Sequence, residues 1–439
     1  MQRGKRWLWV VGGVLVVAAL AVFAFVKFNA AADEAAFLEQ LRLARAEGLP
    51  TSAAELAATI PTAMPEENAA PFYRRLNAIS DQRPNLPIRQ AMRLAAWYGL
   101  AEVLTRPDAR SLADAQAILD YRREELEAID NAVRLPRCWF DRDWSQGPAL
   151  LRPEYGRMIG ASTLFELRGC MEAQRGNTEA AVAESRSIFT MAKHAAVEGD
   201  ETSIRVSERI HLNGVLELAY CSFAHRDRPE YYEALRAVGD PPTPDYRVED
   251  RGELLNALWV VENTSTPEKL KDKLGFRAED LPDRWWWLSQ TLVSQTKVKT
   301  EVVRAERHKL AAMYLPRDER AEALAKANKQ LFEAMSPVPL ALKMFVSLGS
   351  ETQNLNQPDP LEWRKDYWKA ARQKRMALVR ALRPGPIPTS IGTSDLLSPF
   401  DGKPLSYSYD GHQIVIRVSG QEVNGKASSL KIPPDLPKD

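Results

Sequence analysis

Residues that bind transition metals or form disulfides are scarce in this sequence. Its 439 residues include 5 His and 3 Cys. A multinuclear metal centre, or a small domain held together by several disulfides, requires more of them. The sequence therefore predicts no metal and no cofactor. It favours small buried thiols at Cys138, Cys170 and Cys221, with a Cys138–Cys170 disulfide as an open alternative.

An excess of charge of either sign is also missing. The chain has 59 Lys and Arg against 58 Asp and Glu, which gives a formal net charge of +1. Proteins that bind the phosphates of nucleic acid usually carry a clear basic excess. We therefore predict that nucleic acid is not a partner. The content of 45% hydrophobic and 27% charged residues is typical of a globular chain, which excludes wholesale disorder.

The motifs of several common enzyme families are absent from the sequence. There is no Gly-x-Ser-x-Gly, His-Glu-x-x-His, P-loop or Cys-x-x-Cys sequence. Ser-x-x-Lys occurs at Ser294 and at Ser428, but the Ser-Asp-Asn and Lys-Thr-Gly partners of that motif do not occur. No catalytic mechanism is identifiable from these patterns.

The N-terminus contains an uncharged apolar run at residues 7–26, directly after Arg3, Lys5 and Arg6. An α-helix needs about 20 such residues to cross a bilayer, and basic residues at one end stay in the cytoplasm. Residues 1–28 are therefore predicted to be a cytoplasmic stub and a transmembrane anchor. The rest of the chain would lie outside the cytoplasm, at the bacterial inner membrane. A signal peptide cleaved near residues 29–31 stays open as an alternative.

The remaining sequence is predicted to be mainly α-helical. Leu212, Val215, Leu216 and Ala219, for example, recur at the spacing of one helical face. A helical hairpin is predicted over residues 164–196, with its turn at Gly176. The hairpin resembles one tetratricopeptide unit, so a degenerate array of such repeats is an alternative to a single hairpin.

Proline-rich segments divide the exported part into blocks. Pro241-Pro242-Thr243-Pro244 separates a first helical block, residues 29–240, from a second, residues 245–383. Residues 384–439 are predicted to contain a Pro-rich turn, a small β-hairpin with its turn at Asp410-Gly411, and a frayed tail.

Four motifs occur in a fixed order along the chain: Asn-Ala-Ala-Pro-Phe-Tyr at 68–73, Asp-Trp-Ser-Gln-Gly-Pro at 143–148, the Gly176 hairpin, and Pro-Phe-Asp-Gly-Lys-Pro-Leu at 399–405. Through these four motifs, residues 60–420 resemble a family of uncharacterised single-anchor, mostly α-helical envelope proteins of planctomycetes and similar bacteria. That resemblance implies architecture and location, and it brings no activity or catalytic residue with it.

The motif at 399–405 is also similar to the C-terminal turn of type II secretion pseudopilins. That similarity implies a pseudopilin-like secretion component as a further alternative. Pseudopilins carry a Glu just inside their apolar helix, whereas the first acidic residue here is Asp33. Another interpretation of the motif is a rigid turn that packs Phe400 and Leu405 onto the helices.

The loop at Asp141-Arg142-Asp143-Trp144 is the densest group of chemically active side chains. Paired carboxylates beside aromatic residues suit the hydrolysis of a glycan. The hypothesis of an envelope glycan or peptide hydrolase therefore assigns catalysis to Asp141 and Asp143, in one pocket with Glu154. The structural alternative is that the two aspartates clamp Arg142.

Two aromatic groups are candidates for interaction with partners. Successive residues of a helix point about 100° apart, so Trp285, Trp286 and Trp287 cannot all enter one core. The predicted helix from residue 363 to 382 combines aromatic residues with a basic excess, which suits anionic lipid or an acidic polymer, or simply a solvated face. Its candidate interaction residues are Trp363, Trp368, Arg372 and Arg375.

The function favoured by these observations is a membrane-anchored, extracytoplasmic helical scaffold. Its predicted partners are the lipid bilayer, through residues 7–26, and other proteins of the cell envelope. The scaffold hypothesis predicts exposed aromatic grooves and no convergent cluster of ionisable groups. The hydrolase alternative predicts such a cluster around Asp141 and Asp143.

Overall fold

The computed structural model describes residues 29–82, 90, 93, 95–105, 107–241, 252–263, 295–334, 360–423 and 426–432. These residues are mostly helical and end in one small sheet, which confirms the predicted mainly α class. The helices are α1 (29–46), α2 (Ala53–Ala58), α3 (Ala70–Asp81), α4 (Ala96–Thr105), α5 (Ala109–Tyr121), α6 (Arg123–Val133), α7 (Pro153–Gln174), α8 (Thr178–Ala195), α9 (Glu201–Ala224), α10 (Pro229–Ala237), α11 (Glu253–Asn263), α12 (Gln295–Ala312), α13 (Arg317–Ala334) and α14 (Pro360–Ala381). The strands are β1 (Ser406–Tyr409), β2 (Ile414–Val423) and β3 (Lys426–Ile432).

The predicted membrane anchor lies outside the described residues. Within the described ranges, no helix is both long enough and apolar enough to span a bilayer. The first described helix, α1, is amphipathic: Ala44 is buried, whereas Glu39 and Arg42 form an exposed ion pair at 2.7 Å.

The chain forms two compact units, and each is built from separated stretches of sequence. The described part of the first unit comprises residues 29–59, 143–150, 252–263 and 295–334. The second unit contains the described residues of 60–142, 151–241 and 360–432. This division differs from the predicted consecutive blocks at 29–240 and 245–383, because spatial contacts group helices that are far apart in sequence.

The core of the first unit joins α1, α11, α12 and α13. Leu254, Val302 and Leu331 are among its buried side chains. The short 3₁₀ turn Trp144–Ala149 packs on α11 at Gly147, whose φ is +53°. A Cβ at this glycine would lie 2.6 Å from Cγ of Trp259, so the turn can approach the indole only because the side chain is missing.

The second unit contains the predicted helical hairpin. Helices α7 and α8 pack against each other, and the chain reverses at Gly176, where φ is +81°. This confirms the hairpin and its turn. Helix α9, capped by the Asp200 carboxylate, packs on both α7 and α8, and α10 packs on α9. Four successive helices are therefore layered against one another.

The C-terminal sheet confirms the predicted hairpin and extends it. Strands β1 and β2 are antiparallel, with Tyr407 opposite Ile416, and the turn contains Gly411 at φ +95°. The predicted frayed tail is wrong for residues 419–423 and 426–432, because β2 continues to Val423 and β3 pairs with it. The error arose because Ser and Lys on β3 resemble a loop sequence, whereas Leu430 and Ile432 are the residues that contact the core.

The motif at 399–405 is a tight turn that packs on the sheet and the helical core. Ser398 N donates to the Lys403 carbonyl at 2.7 Å, and the Ser398 hydroxyl donates to the Ser419 carbonyl at 2.6 Å. Leu405 is 2% exposed and belongs to the core. Phe400 also packs against this core, as the interpretation of the motif as a packing turn predicted.

Gly420, on β2 beside this turn, should tolerate a side chain poorly. Its φ is +74°, and a Cβ would lie 2.9 Å from Cβ of Phe400. We expect Gly420→Ala to lower the free energy of unfolding by about 1–3 kcal/mol, through backbone strain and this close contact. Gly392→Ala is the matched control, since nothing lies within 4 Å of its added Cβ. Urea unfolding of both variants measures the difference, and equal midpoints would contradict the packing described.

Candidate functional site

The loop with the predicted catalytic aspartates buries its arginine instead of its carboxylates. The Arg142 side chain is 5% exposed and forms ion pairs with Glu154 of α7 and with Glu198, which follows α8. Its guanidinium also lies over two aromatic rings, 4.7 Å from the centroid of Phe140 and 5.1 Å from that of Tyr155. Two buried carboxylates and two rings therefore surround one buried cation.

A second layer of polar contacts satisfies Glu198. The Tyr155 hydroxyl donates to Glu198 Oε2 at 2.6 Å, and Arg152 Nη1 lies 3.6 Å from the same oxygen. Arg152 also pairs with Asp200, the N-cap of α9. Burial raises the pKa of Glu198, and the charges of Arg142 and Arg152 oppose that rise. The network fixes the loop to the junction between α8 and α9.

The predicted catalytic aspartates are both exposed. At Asp141 the backbone carbonyl accepts a hydrogen bond from Arg74 Nη2 at 2.8 Å. The Asp143 carboxylate accepts from Ser145 N at 3.1 Å and from Gln146 Nε2 at 3.2 Å. Its hydrogen bonds, chiefly that from the Ser145 hydroxyl, lower the pKa of Asp143.

The structure gives Arg142 and Glu154 other surroundings than the sequence suggested. The hydrolase hypothesis considered Glu154 as a further member of the pocket with Asp141 and Asp143, but Glu154 is 3% exposed and is held by Arg142. The alternative of an arginine clamped by its neighbouring aspartates is wrong. The partners of Arg142 come from α7 and from the end of α8, at positions that the loop sequence does not reveal.

His194 lies in a separate buried contact between α3 and α8. Its Nδ1 is 2.9 Å from the Tyr73 hydroxyl, and its Nε2 is 3.0 Å from the Leu135 carbonyl. Because a carbonyl only accepts, Nε2 carries the proton and Nδ1 accepts from Tyr73. Burial lowers the pKa of His194 to about 4, so the imidazole is neutral at pH 7.

Removal of the Tyr73 hydroxyl should therefore destabilise the second unit. In Tyr73→Phe the Nδ1 atom of His194 stays buried without a donor, and we expect a loss of about 1–3 kcal/mol in the free energy of unfolding. Tyr409→Phe removes an exposed hydroxyl that donates to the Gly411 carbonyl, and it should cost less. Denaturant unfolding of both variants decides this, and an equal loss would contradict the proposed role of the contact.

A third cluster joins α7 to α9 through four buried ionisable side chains. Glu166 and Cys170 lie on α7, Glu217 and Cys221 lie on α9, and each is at most 6% exposed. The carboxyl group of Glu217 fills the space that a side chain at Gly169 would occupy, since a Cβ there would lie 1.7 Å from Oε1.

Burial determines the protonation of this Glu–Cys cluster (Glu166, Cys170, Glu217 and Cys221). It raises the pKa of Glu166 to about 8, and it raises that of Glu217 well above the usual range. The Glu166 carboxyl group therefore stays protonated near neutral pH. Among the described residues, no set of three or more His, Cys, Asp or Glu side chains is arranged to hold a metal ion.

The sequence interpretation missed the Glu–Cys cluster, although a signal for it exists. Glu-x-x-x-Cys occurs at 166–170 and again at 217–221, so each Glu lies one helical turn before its Cys. The repeated spacing shows that each pair shares a helix face. It does not show that the two faces meet, which depends on how α7 packs against α9.

The candidate interaction residues of α14 are mostly engaged within the second unit. Arg372 Nε lies 3.3 Å from Asp240 Oδ2, and Arg375 Nη2 lies 2.8 Å from Asp240 Oδ1. Arg375 also donates to the Val238 carbonyl, so the two arginines hold the segment after α10 to α14. Trp368 is half-buried. The side chain of Trp363 and all of Trp285, Trp286 and Trp287 lie outside the described part of the chain.

Comparison with protein-family models, with curated proteins and with solved structures found no significant match for this chain. The similarity to planctomycete envelope proteins therefore stays a prediction carried by the sequence motifs. The function has to be argued from the geometry of the described residues alone.

Proposed function

We propose that the protein is a membrane-anchored, extracytoplasmic helical scaffold that binds other proteins of the cell envelope. The observation that carries the proposal is the layered series α7–α8–α9–α10, in which each helix packs on the preceding one. Layered helical hairpins provide extended binding surfaces in repeat proteins such as the tetratricopeptide class. This support is an analogy of fold, and the series would be a degenerate member of that class.

The placement of the charged groups also supports a scaffold. The scaffold hypothesis predicted no convergent ionisable cluster, and that prediction was wrong, because the Arg142 network and the Glu–Cys cluster are both present. Both are buried, however: the side chains of Arg142, Glu154 and Glu198 are each at most 5% exposed. Buried groups that satisfy one another position helices and loops, and a substrate cannot reach them.

In-cell crosslinking of the full-length, membrane-embedded protein tests this proposal. After affinity purification, mass spectrometry should identify the same envelope protein, at a fixed stoichiometry, in independent preparations. Recovery of the chain alone at high crosslinking yield would contradict a scaffold.

A triple variant makes the test specific to the predicted contact residues. Replacing Trp285, Trp286 and Trp287 by Ala should reduce the crosslinked complex at least tenfold, if these indoles anchor the partner. Tyr314→Ala is the control, because Tyr314 is an aromatic residue that is 64% exposed. An equal loss in both variants would show that the effect is not specific to the tryptophans.

A further inference from the structure

The helices α7 and α9 run side by side in a constant register. Asn213 Nδ2 donates to the Ser162 hydroxyl at 2.8 Å in the buried contact between them. One helical turn beyond this contact, Glu217 of α9 lies opposite Glu166 of α7. Two turns beyond it, Cys221 lies opposite Cys170. The carboxyl group of Glu217 lies against Gly169, which also places these parts of α9 and α7 at the same level.

The two cysteines at this level belong to the same core cluster. Cys170 is 0% exposed and Cys221 is 1% exposed. Cys138 differs, because it belongs to another core cluster, with Tyr73 and Phe140 around it. In the structure all three cysteines are free thiols. The chain thus contains one cysteine pair and one single cysteine, and the pair is not the Cys138–Cys170 disulfide considered from the sequence.

We propose that Cys170 and Cys221 form a disulfide that links α7 to α9 when the protein folds in an oxidising compartment. In the cell this rests on the proposed extracytoplasmic location, since structural disulfides persist in such compartments. A disulfide requires its Cα atoms to lie about 4.4–6.8 Å apart. The Asn213–Ser162 hydrogen bond and the approach of Glu217 to Gly169 place the two cysteines at one level of the α7–α9 contact. The bond would connect the first and third helices of the layered series.

The reaction is a pair of thiol–disulfide exchanges with a small disulfide donor such as oxidised glutathione. The Cys170 thiolate attacks one donor sulfur, which forms a mixed disulfide and releases the first donor thiolate. The Cys221 thiolate then attacks the Cys170 sulfur, which closes the protein disulfide and releases the second donor thiolate. The two protons lost by the cysteines go to the two donor thiolates, so the donor is reduced by two electrons.

The bond should form during folding and not afterwards. Burial raises the pKa of the Cys170 thiol well above its ordinary value, which removes the thiolate that exchange requires. Reduced, folded protein should therefore be oxidised slowly, whereas a chain that refolds in the presence of the donor should be oxidised while both thiols are still solvated.

Refolding of the purified full-length chain in detergent tests the chemistry independently of location. The chain is unfolded with reductant, refolded with oxidised and reduced glutathione, and denatured in a maleimide reagent that adds mass to each free thiol. We expect one labelled thiol per chain in place of three, and peptide mapping should show the 170–221 link. Cys138→Ala should then leave no labelled thiol, whereas Cys170→Ala should leave two.

Three labelled thiols after refolding, or a link that includes Cys138, would overturn the proposal. The same labelling in intact cells then separates the disulfide from the location. If the disulfide forms during refolding but all three thiols are free in cells, the cysteine pairing stands and the extracytoplasmic location is wrong. If one thiol is free in cells that have a disulfide-forming pathway, and three are free in a host that lacks one, the cysteine pairing and the extracytoplasmic location are both supported.

Discussion

Replacing Arg142 by Met should lower the free energy of unfolding of the second unit by about 3–5 kcal/mol. The substitution removes the cation between Glu154 and Glu198, which leaves Glu154 without its ion-pair partner and Glu198 with only Tyr155 and Arg152. Loss of one partner from a buried ion pair is expensive because the remaining charge keeps its desolvation penalty. Urea unfolding, followed by circular dichroism on the purified chain, measures the change.

An exposed ion pair provides the control for this prediction. Arg123 lies 3.2 Å from Asp120, and the two side chains are 67% and 52% exposed. Arg123→Met should therefore cost less than about 1 kcal/mol. The triple variant Arg142→Met, Glu154→Gln, Glu198→Gln should recover part of the loss, since it removes the uncompensated charges. Equal effects of Arg142→Met and Arg123→Met would contradict the network described here.

Glu166→Gln should change how stability depends on pH. The unfolded chain releases the Glu166 proton near pH 4.5, whereas the folded chain retains it up to a pKa of about 8. Between these values the folded state binds more protons than the unfolded state, so stability falls as the pH rises. Each such group contributes about 1.4 kcal/mol per pH unit. Glutamine has the shape of the protonated acid but does not titrate. The variant therefore lacks the contribution of Glu166 to the change of the free energy of unfolding with pH.

The expected result is a pH-dependent difference between variant and wild type. Near pH 5 the two free energies of unfolding should be close, and toward pH 8 the Gln variant should become progressively more stable. Because Glu217 is present in both proteins, the difference between their free energies of unfolding reports on Glu166. Glu179→Gln, at an exposed position on α8, should run parallel to the wild type. A difference for Glu166→Gln that stays constant with pH would show that this carboxyl group is not buried as described.

The parts of the fold that the sequence predicted are those with strong local signals. The hairpin turn at Gly176 and the strand turn at Gly411 both require a positive φ, which glycine provides, and both were predicted. Strand β3 was missed because an edge strand presents polar residues to solvent. The division into two units was missed because helices that are distant in sequence share a core.

The candidate site was less predictable for a related reason. Arg142 is paired with Glu154 and Glu198, and both lie on other elements than the loop that carries the arginine. The sequence shows that a charged loop exists, but the choice between its adjacent aspartates and distant glutamates depends on tertiary packing. The Glu–Cys cluster is visible in the sequence as a repeated Glu-x-x-x-Cys spacing. Only the packing of α7 against α9 shows that the two repeats face each other.

Both proposals for the living cell depend on the location of the chain outside the cytoplasm. Protease treatment of spheroplasts that carry the full-length protein tests this most directly, with a cytoplasmic protein as the integrity control. We expect external protease to remove the part after the predicted anchor at residues 7–26 and to leave a short membrane-bound fragment. A chain that stays full-length until detergent opens the membrane would contradict it.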